Sequence, residues 1–344
     1  IIYKIRMYNI KDNSFNDARF LISQAIKKIE ELATAEGMSG VASGFQELDK
    51  ITSGWQPSDL IIIASRTSIG KSSLVLSMVR NMAIDFNMPV AIFSPEMTSN
   101  QIMNRLISFE TGLSLTKLRT GKLEKHEWEA LSIKTKNLEA APIYVDDTAN
   151  LSIQNLSVLA NQLVFEKDIR AIFIDNIHLL SAGNNEKSDI TREQEISIIA
   201  RKLKTLAKEL NIPVIAISQL SREKENKNYI NRPTLSDLRG SGTLEEIADI
   251  VSFIYRPEYY KIDEWDDDEC SPSQGQAEFI IAKHRNGSLK NIRLKFIQNV
   301  GKFDNLDYYS SNEINPFQTK NLPSANEAFG SSSNNFDDDS EVPF

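Results

Sequence analysis

Residues 59–86 read DLIIIASRTSIGKSSLVLSMVRNMAIDF, and two different periods meet inside that stretch. DLIIIAS (59–65) is a continuous apolar run, the pattern of a strand buried on both faces. From Lys71 onward the apolar residues Leu74, Val75, Met78, Val79 and Met82 recur at the three-and-four spacing of a helix. Between them, SRTSIGKSS (65–73) fits G-x-x-x-x-G-K-S/T except at its first position, where Ser65 stands. Gly70 lets the backbone come close to a phosphate, Lys71 reaches its outer oxygens, and the Ser72 hydroxyl is a ligand for Mg²⁺. A bare Gly-Lys-Ser is more often coincidence than a site. Here a strand precedes it and a helix follows, so the helix N-terminus aims its unpaired N–H groups and its dipole at an anion.

Outward from this unit the chain alternates. Strand-like runs occupy 59–65, 89–94, 142–147, 171–176, 213–218, 249–255, 277–283 and 292–297, with helical stretches centred on 72–86, 98–110, 152–167 and 191–210. That alternation predicts an α/β fold with a largely parallel sheet. Only HRNGSLKN separates the last two runs, and its Asn286-Gly287 predicts a closing hairpin. Before the alternation, residues 1–13 are irregular. Ser14 and Asp17 then resemble a capping box, with Asp17 at the third helical position. Leu21, Ile22, Ala25, Ile26, Ile29, Leu32 and Ala33 form one apolar stripe that Gly37 ends. The stripe needs a partner, either this chain's core or a neighbouring subunit. After about residue 310 the sequence is polar, rich in Asn and Ser, without a period, and is expected to be disordered. The expected division is 1–38, 39–309 and 310–344.

The chain has 344 residues, 41% hydrophobic and 25% charged, as soluble globular proteins do. No apolar run approaches the ~20 residues of a membrane span. One cysteine, Cys270, rules out an internal disulfide and fits a reducing compartment, which suggests the cytoplasm. The first residue is Ile and no signal pattern follows, which suggests a fragment of a longer chain. A net charge of −8 excludes a generally basic surface but not a local basic channel for nucleic acid. His126, His178 and His284 show no metal-ligand spacing, so no zinc site is expected.

Three strand ends carry polar groups. AIFIDN (171–176) puts Asp175 after four apolar residues, where an acid would hold the shell of an Mg²⁺ ion. Glu96, after the second run, would take a proton from an attacking water if it faces the γ-phosphate of ATP. Gln219 ends VIAISQ and would sense that phosphate or simply cap a loop.

Six motifs then occur in order: SGFQELDKITSGWQPSDLIIIASRTSIGKSS, FSPEM, FIDNIHLL, ISQLSRE, RPTLSDLRGSGTLEEIADIVSFIYRPEYY and IIAKHRNG. Together, from about Gly40 to Leu306, they resemble the RecA-like motor domain of the DnaB-type replicative helicases. In that family the first loop glycine is commonly relaxed to a small residue, as Ser65 is here. The resemblance implies an ATP- and Mg²⁺-dependent motor that moves 5′-to-3′ on single-stranded DNA as a ring, with ATP sites between subunits. Ser68, Gly70, Lys71, Ser72 and Ser73 would contact nucleotide, Ser72 and Asp175 the metal, and Glu96 the water. Arg105 matches a family arginine near the nucleotide, and Gln219 would couple loss of phosphate to loop movement. Lys283, His284 and Arg285 would reach the neighbouring subunit's site, with Arg285 as its arginine finger. Arg239, Gly240 and Gly242 match the DNA-tracking loop, and the loop 181–193 is a second, weaker DNA candidate. Residues 14–36 match the linker helix that docks on an adjacent motor. The family's N-terminal collar, which binds primase, is not part of this sequence; primase and a helicase loader would be partners of the full-length protein.

The chain departs from the family at Thr67 (usually proline), Asn176 (tyrosine), His178 (glutamine), Gly240 (acidic) and His284 (glutamine). Two other readings compete with the helicase: a filament-forming RecA-type recombinase and a non-hydrolysing ATP-binding scaffold. The IIAKHRNG hairpin and the 232–242 loop weigh against the first. Glu96, Asp175, Gln219 and Arg285 weigh against the second. The ending NNFDDDSEVPF resembles the acidic, Pro-Phe-terminated tail of bacterial single-stranded DNA-binding proteins, over a short match; a solubilising tail is the plainer reading.

Overall fold

In the computed structural model the described residues are 17–34, 38–183, 191–220, 232–238, 242–268 and 270–306. Ser14, Gly37, Arg239, Gly240, residues 184–190 of the second loop and the acidic tail lie outside them.

The apolar runs become strands where expected: β1 (Leu60–Ser65), β2 (Val90–Phe93), β3 (Ile143–Asp146), β4 (Ala171–Ile174), β5 (Val214–Gln219), β6 (Ile250–Tyr255), β7 (Gln276–His284) and β8 (Lys290–Ile297). A short ninth strand, β9 (Lys302–Asn305), completes one sheet in the order β3-β2-β4-β5-β1-β6-β7-β8-β9. Pairing is parallel from β3 through β6 and antiparallel from β6 through β9. β7 and β8 form the expected hairpin across Asn286-Gly287.

The unbroken run at β1 is explained by two cores, one on each face of the sheet. Ile61 and Ile63 pack with Leu74, Val75 and Met78 of α3 (Lys71–Arg80) and with Leu106 of α4 (Ser99–Thr111). Leu60, Ile62 and Ala64 pack instead with Leu156 and Ala160 of α8 (Ile153–Lys167), and with Ile199, Leu203 and Leu206 of α9 (Arg192–Leu210). Every residue of β1 is therefore buried, and alternation has nothing to alternate between. Each large side chain so buried contributes roughly 1.5–3 kcal/mol.

Several elements go beyond the expectation. α2 (Gln46–Thr52), α5 (Leu115–Thr120), α6 (Lys125–Lys134), α7 (Lys136–Ala140) and α10 (Gly242–Ile247) are short. In α6 only Glu127 is buried, so no apolar stripe marks it. β9 buries Phe303 alone among its four residues.

The N-terminal helix α1 spans Ala18–Thr34. Asp17 precedes it rather than occupying its first turn, and its Oδ1 accepts from Arg19 N at 3.4 Å as a simple cap; the Ser14 half of the expected capping box lies outside the described residues. Phe20, Leu21, Ile22, Ile26 and Ile29 on this helix are all exposed. Among the described residues no helix is long and apolar enough to cross a membrane, and Cys270 is an exposed free thiol.

Candidate nucleotide site

The loop between β1 and α3 is fixed from below. Gly70 has φ +115°, a conformation that favours glycine, and a Cβ there would press on the Phe303 ring at 3.1 Å. Arg256 lies 3.7 Å from the centre of the Phe296 ring and donates to the Ile69 carbonyl at 3.3 Å. Ser65 is fully buried, and its hydroxyl donates to the Arg66 carbonyl at 2.9 Å, which keeps the loop compact without the usual glycine. α3 starts at Lys71 with no side-chain cap and no acid in its first turn, which leaves its N–H groups to an anion. Ser68, at φ +63°, stands exposed at the loop tip. Lys71 Nζ donates to the carbonyls of Ser65 (3.0 Å) and Arg66 (2.9 Å). Burial pulls its pKa down to about 8, against the opposing pull of Asp175 and Glu96.

Two carboxylates come to the same place from neighbouring strands. Asp175 follows β4 directly and is 5% exposed. Burial raises its pKa, a hydrogen bond from the Ser72 hydroxyl opposes that, Glu96 adds to the rise, and Lys71 and Arg105 oppose it. Its backbone N donates to Phe93 O at 2.9 Å, and the Asp175–Asn176 peptide is cis. Glu96 sits in the turn between β2 and α4, where Ser94 Oγ accepts from Met97 N at 3.1 Å and Thr98 caps the helix through a capping box with Gln101. Asn176 Nδ2 donates to Glu96 Oε2 at 2.6 Å. Arg105, on α4, donates to Ser73 Oγ at 3.2 Å. A cleft of about 650 Å³ opens beside Glu96 and Arg105, with Asn104, Leu115 and Arg119 on its walls. Gln219 ends β5 in register with Ser65. Lys71, Ser72, Ser73, Glu96, Arg105, Asp175 and Gln219 thus gather at the carboxyl ends of parallel strands, where open α/β sheets bind ligands.

The remaining expected residues lie elsewhere. His284 pairs with Ile250, and Arg285 N donates to Asp249 O at 2.8 Å, at the amino end of β6. Arg285 Nη1 donates to Asp249 Oδ1 at 3.0 Å and its Nη2 to Glu246 O at 3.1 Å. Lys283 Nζ caps the end of α10 through the carbonyls of Glu245, Glu246 and Ala248. His284 Nδ1 lies 3.3 Å from Ser288 O within the hairpin. Asp249 is 3% exposed and also binds Lys204 Nζ and Leu60 N. Beside it, burial pushes Asp59 up to about 6, with Asp249 adding to the rise while Lys204 and Arg285 oppose it. Arg232, at the root of the 232–242 loop, is clamped by Asp266 and Glu278 and lies over the rings of Tyr255 and Trp265. Gly242 opens α10.

The model of the DnaB-like helicase C terminal domain matches residues 40–305. The chain belongs to that family. The replicative DNA helicase DnaB of Geobacillus stearothermophilus is 40% identical over 295 residues, which cover 86% of this chain and 63% of that protein. Among solved structures, the ATPase domain of G40P superposes with a TM-score of 0.76 at 34% identity, covering 86% of this chain and all of that one. A DnaB-like replicative helicase, solved to describe its interactions with primase, gives 0.73 at 34% identity, covering 86% of this chain and 69% of that one. The chain spans less than two thirds of its DnaB relative.

As a DnaB-like domain, the chain has a site whose donors suit a nucleotide. The glycine cradle, the uncapped helix and a lysine that donates to carbonyls of its own loop fit a phosphate chain. Among the described residues no cluster of three or more His, Cys, Asp or Glu is arranged to hold a metal by itself. One hydroxyl (Ser72) and one carboxylate (Asp175) fit Mg²⁺, which takes much of its shell from water and substrate phosphates. Asn176, Asp249 and Lys204 are polar residues of these two clusters that motif reading did not select. His178 is another. Its Nε2 lies 3.0 Å from Ser218 Oγ, and burial, then Arg192 and Lys71, lower its pKa to about 4, so the ring is neutral at neutral pH.

Proposed function

We propose that this chain is the ATP-hydrolysing motor of a replicative DNA helicase, working in the cytoplasm as a ring of identical subunits, six by family likeness. The observation that carries the reading is the separation of its charges. Arg285 is level with Leu60 and the phosphate loop begins beyond Ser65, so roughly 17 Å of strand divide them at ~3.3 Å per residue. An arginine cannot cross that span within its own subunit. Placed at a subunit interface, it meets the neighbour's nucleotide.

In this reading Lys71 and the N–H groups of α3 bind the β- and γ-phosphates of ATP, while Ser72 and Asp175 hold Mg²⁺. When bound, Mg²⁺ neutralises charge on the phosphate oxygens. Glu96 accepts the proton of the attacking water, Arg105 stays close to the phosphates through Ser73, and Gln219 reports the loss of the γ-phosphate to the central loops. Arg285, with Lys283 and His284 beside it, offsets developing charge in the adjacent subunit; an arginine supplied in trans is worth ~10³–10⁵ in rate for related phosphoryl transfers. Arg239, Gly240 and Gly242 follow single-stranded DNA through its phosphates, without base readout. Residues 1–38 serve as a linker whose exposed apolar face docks on the next motor, 39–309 as the motor, and 310–344 as a tail. Primase and a loader are partners of the full-length protein.

Steady-state ATP hydrolysis with and without single-stranded DNA, followed by unwinding of a 5′-tailed fork, tests the proposal. DNA-stimulated hydrolysis that Lys71→Ala abolishes is the expected result. Binding of ATP without turnover would support the scaffold reading instead.

A further inference from the structure

Asn176 follows Asp175 at the tip of β4 and is 3% exposed. Its Nδ2 gives Glu96 Oε2 a charge-assisted hydrogen bond of 2.6 Å. Among the described residues, the other half of the same amide, Oδ1, is buried without a partner. The two facts belong together. Turning the amide over would aim its oxygen at the Glu96 carboxylate, so Glu96 fixes the orientation and the carbonyl oxygen is left over. Folded proteins rarely leave a buried acceptor without a donor.

The backbone gives this bond its leverage. Asp175 N donates to Phe93 O at 2.9 Å, which ties the tip of β4 to β2, and Glu96 comes three residues after Phe93. Asn176 therefore bridges the two strand ends that carry the metal-side acid and the water-side carboxylate. A glutamate side chain left alone samples several rotamers and loses that freedom only when something holds it.

We propose that Asn176 is a positioning residue for hydrolysis: it holds one oxygen of Glu96 so that the other faces the attacking water. The proposal rests on the reading of Glu96 as the proton acceptor. It is tested on the full chain by steady-state ATP hydrolysis and by titration with a fluorescent ATP analogue. Asn176→Ala should lower kcat about 10- to 100-fold while KM and nucleotide Kd stay within about twofold. Asn176→Asp keeps the shape but replaces the donor with a second carboxylate, so it should lose at least as much turnover and unfold near the parent temperature. It decides the matter if the alanine variant does not fold. Because Asn176 acts through Glu96, adding Asn176→Ala to Glu96→Ala should cost no further single-turnover rate. Parent-like kcat in the folded variants, nucleotide affinity lost in step with turnover, or an additive double variant would each overturn the proposal. Glu96→Ala hydrolysing at the parent rate would instead bring down the proton-acceptor reading itself.

Discussion

Lys71 is enclosed by its own loop, donates to two backbone carbonyls, and has its pKa drawn down to about 8 by burial. A phosphate chain beside it would favour the ammonium form and move that value back towards 10.5, the ordinary value for lysine. Binding ATP near pH 8 should therefore take up protons. Affinity should be greatest below pH 8 and weaken as pH rises above it. Without nucleotide, the same depression makes the folded state bind fewer protons than the unfolded one between about 8 and 10.5, so stability from this group rises with pH across that window. Calorimetric titration with ATP at pH 8, in buffers of different ionisation heat, checks the sign. Proton release on binding would contradict it. The residues of this centre were legible because motif spacing carries them: Gly70, Lys71 and Ser72 share one loop, while Glu96 and Asp175 each stand at the end of an apolar run. Asn176 was visible only as a departure from the family. Its role depends on meeting Glu96, 80 positions earlier in the chain.

At the scale of elements, the antiparallel end of the sheet supports the phosphate loop. Phe303 N donates to Ser77 Oγ of α3 at 3.0 Å, and its ring packs 4.8 Å from that of Phe296 and under Gly70. Four residues with one buried side chain show no period, so β9 could not be read from sequence, although it supports the loop whose motif was the plainest signal in the chain. The inner parallel strands β1, β2, β4, β5 and β6 were legible for the opposite reason, since burial on both faces leaves a short continuous apolar run. Phe303→Ala and, from β4, Phe173→Ala should each cost about 3–5 kcal/mol of stability. Only the first should also raise the Kd for ATP, because only it lies against Gly70. Chemical denaturation combined with nucleotide titration separates the two effects. Equal Kd values for both variants would remove β9 from the account of the loop.

For the whole molecule, the proposed function makes the two ends of one sheet complementary parts of one reaction. Arg285 is held by the buried Asp249, which is shared with Lys204 and neighboured by Asp59. These residues come from four separate parts of the sequence and meet through the register of β1, β6 and β7 and the packing of α9 on the sheet, so sequence reading found Arg285 by resemblance and missed its supports. In the proposed ring, the exposed apolar face of α1 would give subunits a second surface to dock. The central claim is that each ATP site is built from Lys71 and Glu96 of one subunit and Arg285 of the next. Mixing Arg285→Ala protein with Glu96→Ala protein tests it most directly. Each variant alone should hydrolyse ATP at only a small residual rate, and co-assembled rings should regain ATP hydrolysis well above it, because hybrid interfaces join an intact Glu96 to an intact Arg285. Confirmed mixed oligomers that recover no hydrolysis would contradict a site shared between subunits.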